Sequence, residues 1–160
     1  MQAFDVSIVF AAVLVASLWV RLWLLSRQIR HVARHRDRVP GPFVSTVDLA
    51  SHRKAADYTI AKARWSILQS TFGVAVVVGW TLLGGLDALD SALRSLGVGQ
   101  WGPVGHGLAL LAGFAIVSAA LELPLDAYAT FSIEQRFGFN RMTWGLWLVD
   151  LAKGAVLAVV

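Results

Sequence analysis

His31 and His35 stand four residues apart in His31-Val-Ala-Arg-His35, a spacing that puts two imidazoles on one face of a helix, as in a zinc-protease helix. That chemistry also needs a glutamate directly after the first histidine as general base, and position 32 is valine. Arg30, Arg34 and Arg36 crowd the pair with positive charge, which opposes a dication. The run therefore reads as a solvated basic helix beside a membrane. His52 and His106 are isolated along the chain and read as polar surface or interfacial residues. There is no cysteine, hence no thiolate metal site and no disulfide framework.

The carboxylates offer three further constellations. Asp150 and Lys153 lie at i, i+3 inside an apolar run, where each charge near a bilayer centre costs about 2.5–3.5 kcal/mol on insertion scales. They line a hydrated chamber between helices, or neutralise each other, or Lys153 snorkels to the surface; in each case lipid does not surround this helix on all sides. Glu122 and Asp126 flank Pro124 at i, i+4 and read as two carboxylates at a water-exposed helix end. Glu134, with Arg136 and Arg141, is either a surface charge cluster or a device that docks this stretch against another domain. The glycines at 73, 79, 84, 85, 105, 107 and 113 offer small surfaces for close helix approach, and none sits in the strand-turn-helix context of a phosphate loop. No Ser/His/Asp set has plausible geometry, and no basic face with stacking aromatics points to nucleic acid.

The elements that must position these residues are membrane helices. At 57% hydrophobic residues over 160, the chain is too apolar for an ordinary soluble domain, whose share is nearer 45–50%. Trp65, Trp80, Trp101, Trp144 and Trp147 fall at the ends of apolar runs, where interfacial rings belong. The net charge of +4 is carried by basic residues flanking those runs, so membrane orientation and anionic lipid account for it better than nucleic acid does. The expected fold is all-α and polytopic, with about four transmembrane helices at 6–25, 65–86, 104–123 and 144–160. Cytoplasmic helical segments are expected at 26–64 and 124–143.

Within 26–64, Val-Pro-Gly-Pro at 39–42 forces a turn, and Ser45-x-x-Asp48 has the form of a capping box for a helix over about 46–64 that runs into the second span. Residues 87–102 read as a short loop. Ten Lys and Arg lie from Arg21 to Arg64, one in the loop after the second span and two in 124–143. The positive-inside rule then puts the basic segments in the cytoplasm and the N-terminus outside. Asp5 precedes the first span and the arginines follow it, the reverse of a signal peptide. Gly154 to Val160 is apolar with no polar flank or aromatic anchor beyond it, which predicts further sequence after this segment.

Between the third and fourth spans lies a polar, motif-dense island, 122–143. Pro124 lacks an N–H and biases Leu123 away from α, which predicts that the preceding helix ends or kinks there and that a second helix starts near Asp126. Tyr128, Phe131 and Glu134 follow at i, i+3 and i+6 on one broad side of that helix. Gly138 is expected as its C-terminal cap, with Asn140 and Thr143 capping the helix from Trp144.

The set Pro124, Tyr128, Phe131, Glu134, Gly138-Phe139-Asn140, Thr143 and Asp150, with Tyr58 and Lys62 upstream, resembles the N-terminal membrane region of type I CAAX prenyl proteases. Those are membrane-integrated zinc metallopeptidases. The resemblance covers the chain in outline but only the family's first half, because the His-Glu-x-x-His helix that would hold zinc lies downstream of anything here. It implies a chamber wall and docking surface for a catalytic domain of the same polypeptide, with peptide or prenylated peptide as substrate of the full-length enzyme. The matched residues would act in structure or docking, with no catalytic residue and no zinc ligand in this chain. Membrane lipid is the other expected partner. The setting would be a plasma membrane in a bacterium or an endoplasmic reticulum-type membrane in a eukaryote. A stand-alone membrane scaffold or accessory subunit is the competing reading.

Overall fold

The computed structural model describes residues 3–159, with side chains from Asp5 to Val156. Five α-helices make up the described chain: α1 Ala3–His35, α2 Leu49–Thr81, α3 Gly85–Ser95, α4 Gly102–Tyr128 and α5 Trp144–Val159. A π-helical segment, Ala129–Glu134, continues α4 without a break. Short 3₁₀ turns at Gly41–Phe43 and Val98–Trp101 join α1 to α2 and α3 to α4.

Helix α1 and helix α2 form an antiparallel hairpin. The buried positions of α2 are Ala56, Ala63 and Ser70, seven residues apart. Ala56 shares a cleft with His31 and Val32, and Ser70 shares one with Arg21, so this stripe of small side chains is the seam along which α1 approaches. The hairpin's loop end is tied by charge. The Arg36 guanidinium donates to both Asp57 oxygens, at 2.7 and 2.8 Å, and Arg53 donates to Asp37 at 2.7 Å. That fork holds the Asp57 carboxyl below the usual carboxylate range. Asp48 itself is the N-cap of α2, accepting from the Ser51 N–H at 2.5 Å; Ser45 lies one turn too early for the capping role its spacing predicts.

Two expectations about the connections fail. Residues 87–102 are not a loop: Leu86, Leu89 and Leu93 alternate with Asp87, Asp90 and Arg94 at helical spacing, and α3 lies on α4 with Leu89 against Gly113, while Leu96 just past its end stays exposed. The second span does not run to 86, because α2 ends at Thr81 and the chain bends by 56° into α3, with Gly84 at φ +78°. The helix ending at Pro124 also does not occur. Its missing N–H removes one bond from a ladder that otherwise continues to Tyr128, and widening into π geometry follows five residues on.

Only Ala56, Ala63 and Val98 are buried apolar residues among those described, and no large side chain is fully enclosed. The accessible surface is 11504 Å², against roughly 7,800 Å² for a compact soluble protein of this mass. Valines, leucines and tryptophans line that excess, a surface suited to hydrocarbon and neighbouring helices. Asp5–His35 and Val98–Glu134 are long and apolar enough to cross a bilayer, and a third span exists if the bent pair α2 and α3 counts as one. Helix α5 is as apolar but has 16 described residues, about 24 Å of rise. Its expected end at Val160 lies outside the described residues.

Candidate functional site

The island turns back onto α2, and two aromatic contacts set the approach. Trp65 stacks on Tyr128 with ring centroids 4.6 Å apart, and Tyr58 meets Phe139 at 4.7 Å and the edge of Phe137 at 5.4 Å. Between these contacts lies the pair Lys62 and Glu134, with Nζ 3.8 Å from Oε1 and 5.4 Å from the Tyr58 ring. Tyr58, Lys62 and Trp65 follow at i, i+4 and i+7, one face of α2, so a single helical stripe supplies every partner on that side. The Lys62 and Glu134 side chains are 57% and 36% exposed, a geometry that holds register more than it adds stability. A cavity of about 170 Å³ opens beside them, lined by Lys62, Trp65, Ser66, Gln69, Ile133 and Glu134. The Trp65 indole Nε1 is buried there without an acceptor among the described residues.

The row Tyr128, Phe131, Glu134 does not stay on one side as its spacing predicts. Tyr128 and Glu134 face α2, whereas Phe131 lies flat on Trp144 of α5 at 3.8 Å and edge-on to Trp147 at 6.1 Å. The π segment accounts for the split, because its wider turn rotates residue 131 away from the row an α-helix would give. Gly138 then reverses the chain with φ +75°, and the N–H groups of Phe139 and Asn140 both donate to the Glu134 carbonyl, at 3.0 and 3.3 Å. Asn140 accepts from the Met142 N–H at 2.6 Å, an Asx turn rather than a cap of α5. Thr143 caps α5, accepting from the Leu146 N–H at 3.3 Å. Ten of the eleven matched residues therefore lie in α4, the island, the face of α2 or the cap of α5. Asp150 stands apart, on α5 with Lys153 at 3.9 Å.

The histidines are not isolated. His52 Nε2 donates to the His35 carbonyl at 3.1 Å, and His31, His35 and His52 border one cleft of about 250 Å³. His106 Nε2 donates to Asp90 at 2.5 Å, beside the Arg94 guanidinium at 2.7 Å from the same carboxylate. Neither contact is visible in sequence, because one crosses the hairpin turn and the other joins two helices whose first was read as a loop. Among the described residues no group of three histidine, cysteine or carboxylate side chains has the geometry to hold a metal. The His31 and His35 rings, 4.4 Å apart, do not fit a zinc site: His35 Nδ1 donates to the His31 carbonyl at 2.8 Å and three arginines flank the pair. The described chemistry is that of positioning: aromatic stacks, one cross-helix charge pair and a glycine-hinged turn.

Residues 28–160 match the family described as CAAX prenyl protease N-terminal, five membrane helices. Among curated relatives, the probable CAAX prenyl protease 1 of Schizosaccharomyces pombe is 27% identical over 158 residues, covering 87% of this chain and 32% of that protein. The CAAX prenyl protease 1 homolog of Homo sapiens is 28% identical over 155 residues, covering 93% of this chain and 33% of its own length. The chain thus spans about a third of these relatives. The crystal structure of S. mikatae Ste24p superposes with a TM-score of 0.85 at 24% identity, over 94% of this chain and 35% of that one, a likeness of fold.

Proposed function

The chain belongs to the CAAX prenyl protease N-terminal family, and on that premise we propose that it is the membrane part of a zinc metalloendopeptidase, forming chamber wall and docking surface for a downstream catalytic domain. The substrate of the whole enzyme is a peptide, prenylated in a eukaryotic setting, and the zinc is held outside this chain. When bound, that zinc supplies an activated water. The residues here hold helices in register and present a surface.

The supporting observation is exposure where lipid tails do not reach. In the polar island and the cap that follows it, Tyr128, Phe139 and Trp144 are 52%, 56% and 59% exposed beside the half-exposed Lys62 and Glu134. Large rings on a polar turn match a protein partner better than water or hydrocarbon. The basic segments 26–64 and 124–143 face the cytoplasm in this reading, and the N-terminus lies outside.

The test uses a longer polypeptide carrying this region and a His-Glu-x-x-His helix. Glu134→Ala and Phe139→Ala are expected to lower peptide cleavage about tenfold, the equivalent of about 1.4 kcal/mol of lost positioning, with bound zinc near one per chain. Zinc lost in proportion to activity would place the island at the metal site. Unchanged cleavage in both variants would remove the docking role.

A further inference from the structure

We propose that the cleft bounded by α1, α2 and α4 binds a phospholipid headgroup that carries both a phosphate and a primary ammonium. The cleft measures about 410 Å³, within the roughly 300–1,000 Å³ of small-molecule sites. Its polar walls come from three helices: Arg21 from α1, Gln69 and the buried Ser70 from α2, and Glu122 and Asp126 from α4. None of these three charged side chains is paired: among the described residues no ion pair joins Arg21 to either carboxylate. Ser70 donates to the Ser66 carbonyl at 2.6 Å and forms a satisfied floor.

Depth selects the ligand. The apolar run of α1 ends at Leu25, that of α2 begins at Trp65 and that of α4 ends at Leu123. Arg21 and Gln69 each lie four residues inside these limits, about 6 Å of helix rise, and Glu122 and Asp126 straddle the third. All the polar groups therefore gather within about one helical turn of the same edge of the hydrocarbon, where the long Arg21 side chain reaches up toward the headgroups. Phe72, Val74 and Val77 continue the cleft along α2 as apolar wall, which suits the first carbons of an acyl chain.

Charge selects further. A lone anion would meet two carboxylates, and a lone cation would meet Arg21. A headgroup with both charges satisfies the set: the guanidinium fork matches phosphate oxygens, and the carboxylates with the Gln69 carbonyl accept N–H bonds from an ammonium. A trimethylated ammonium has no N–H to give, and a glycerol headgroup has no cation.

Native mass spectrometry of residues 1–160 in nonionic detergent tests this with three lipids of identical chains. Phosphatidylethanolamine is expected to stay bound at about tenfold lower concentration than phosphatidylcholine or phosphatidylglycerol, the worth of one charge-assisted hydrogen bond. Arg21→Gln should weaken phosphatidylethanolamine about tenfold, and Glu122→Gln with Asp126→Asn should abolish its preference over phosphatidylcholine. Wild-type protein that retains the three lipids equally would show only a nonspecific lipid shell and overturn the proposal without any variant. A preference that survives both substitutions in helical, monodisperse protein would move the site elsewhere. Chain-free glycerophosphoethanolamine competing at the same concentration as the lipid would show that the cleft takes the free headgroup and not a membrane lipid. None of these readouts depends on protease activity.

Discussion

The corner where α2 bends into α3 and α3 folds onto α4, and the island where the π segment folds onto α2, both close helices on one another, by opposite means. At the corner the closure is local: Gly84 and Gly85 allow the bend, Leu89 seats on Gly113, and Asp90 gathers Arg94 and His106 within 2.7 Å. At the island it is remote: Trp65 reaches Tyr128 and Lys62 reaches Glu134 across more than sixty residues of chain, through ring faces and a 3.8 Å ion pair. The corner relies on backbone proximity and short polar contacts. The island relies on apolar area with loose electrostatics, a surface that can be completed by a partner.

Substitution at the corner should therefore cost most. A Cβ at Gly85 would sit 2.6 Å from the Gly79 carbonyl oxygen and 3.0 Å from Trp80 Cα, and backbone atoms cannot step aside as a side-chain tip can. Gly85→Ala is expected to destabilise by about 1–3 kcal/mol, read as a fall in the thermal midpoint in detergent. At the island, Gly138 has open space, with only the flexible Lys54 Nζ at 3.8 Å, but its φ of +75° opposes any Cβ. Gly138→Ala should cost about 1–2 kcal/mol through backbone strain alone. Equal loss at both sites from a side-chain clash would break the contrast.

Next in size is Phe131→Ala, which removes the ring stacked on Trp144 and should cost about 1–2 kcal/mol, less than a fully buried Phe because the site is half open. Trp fluorescence should report it directly, since Trp144 and Trp147 lose their shared neighbour. If Phe131→Leu restores the midpoint but not the spectrum, area rather than ring geometry holds α5 to the island. An unchanged spectrum in Phe131→Ala would show that this stack is absent in solution.

This contrast also explains which features could be read from residue order. The helices, the glycine cap at 138 and the threonine cap at 143 follow from local chemistry: an absent Cβ, a hydroxyl three residues before an orphan N–H, a run of apolar residues. Helix α3 was hidden by its small size and its charges, which resemble a loop until α4 lies alongside and Leu89 seats on Gly113. Pro124 misleads because a missing N–H is a strong breaker in water, whereas in a span the rest of the ladder has no better partner and persists. The split of Phe131 from Tyr128 and Glu134 depends on π geometry, which no spacing announces. Tyr58 and Lys62 were placed by resemblance; that they share a stripe with Trp65 and meet Glu134 appears only when two remote segments fold together.

The smallest expected effect lies at the hairpin end between α1 and α2, outside the apolar runs, where a corner-like polar closure is exposed to water. The Arg36 guanidinium holds Asp57 below the usual carboxylate range, and the Ser51 N–H does the same for Asp48. A depressed folded-state value means the stabilisation is fully present above the unfolded carboxylate value, about 3.9, and is lost as pH falls through the lower folded value. The thermal midpoint should thus be flat from pH 7 to about pH 5 and decline below pH 4. Asp57→Asn should lower the plateau slightly and flatten part of that decline. Asp48→Asn should keep the plateau, because asparagine caps as well as aspartate, while removing the other titrating group. Both variants together should leave little pH dependence from this end of the hairpin. A decline of undiminished size in the double variant would assign acid sensitivity to other carboxylates, and the polar closure here would then be a matter of register alone.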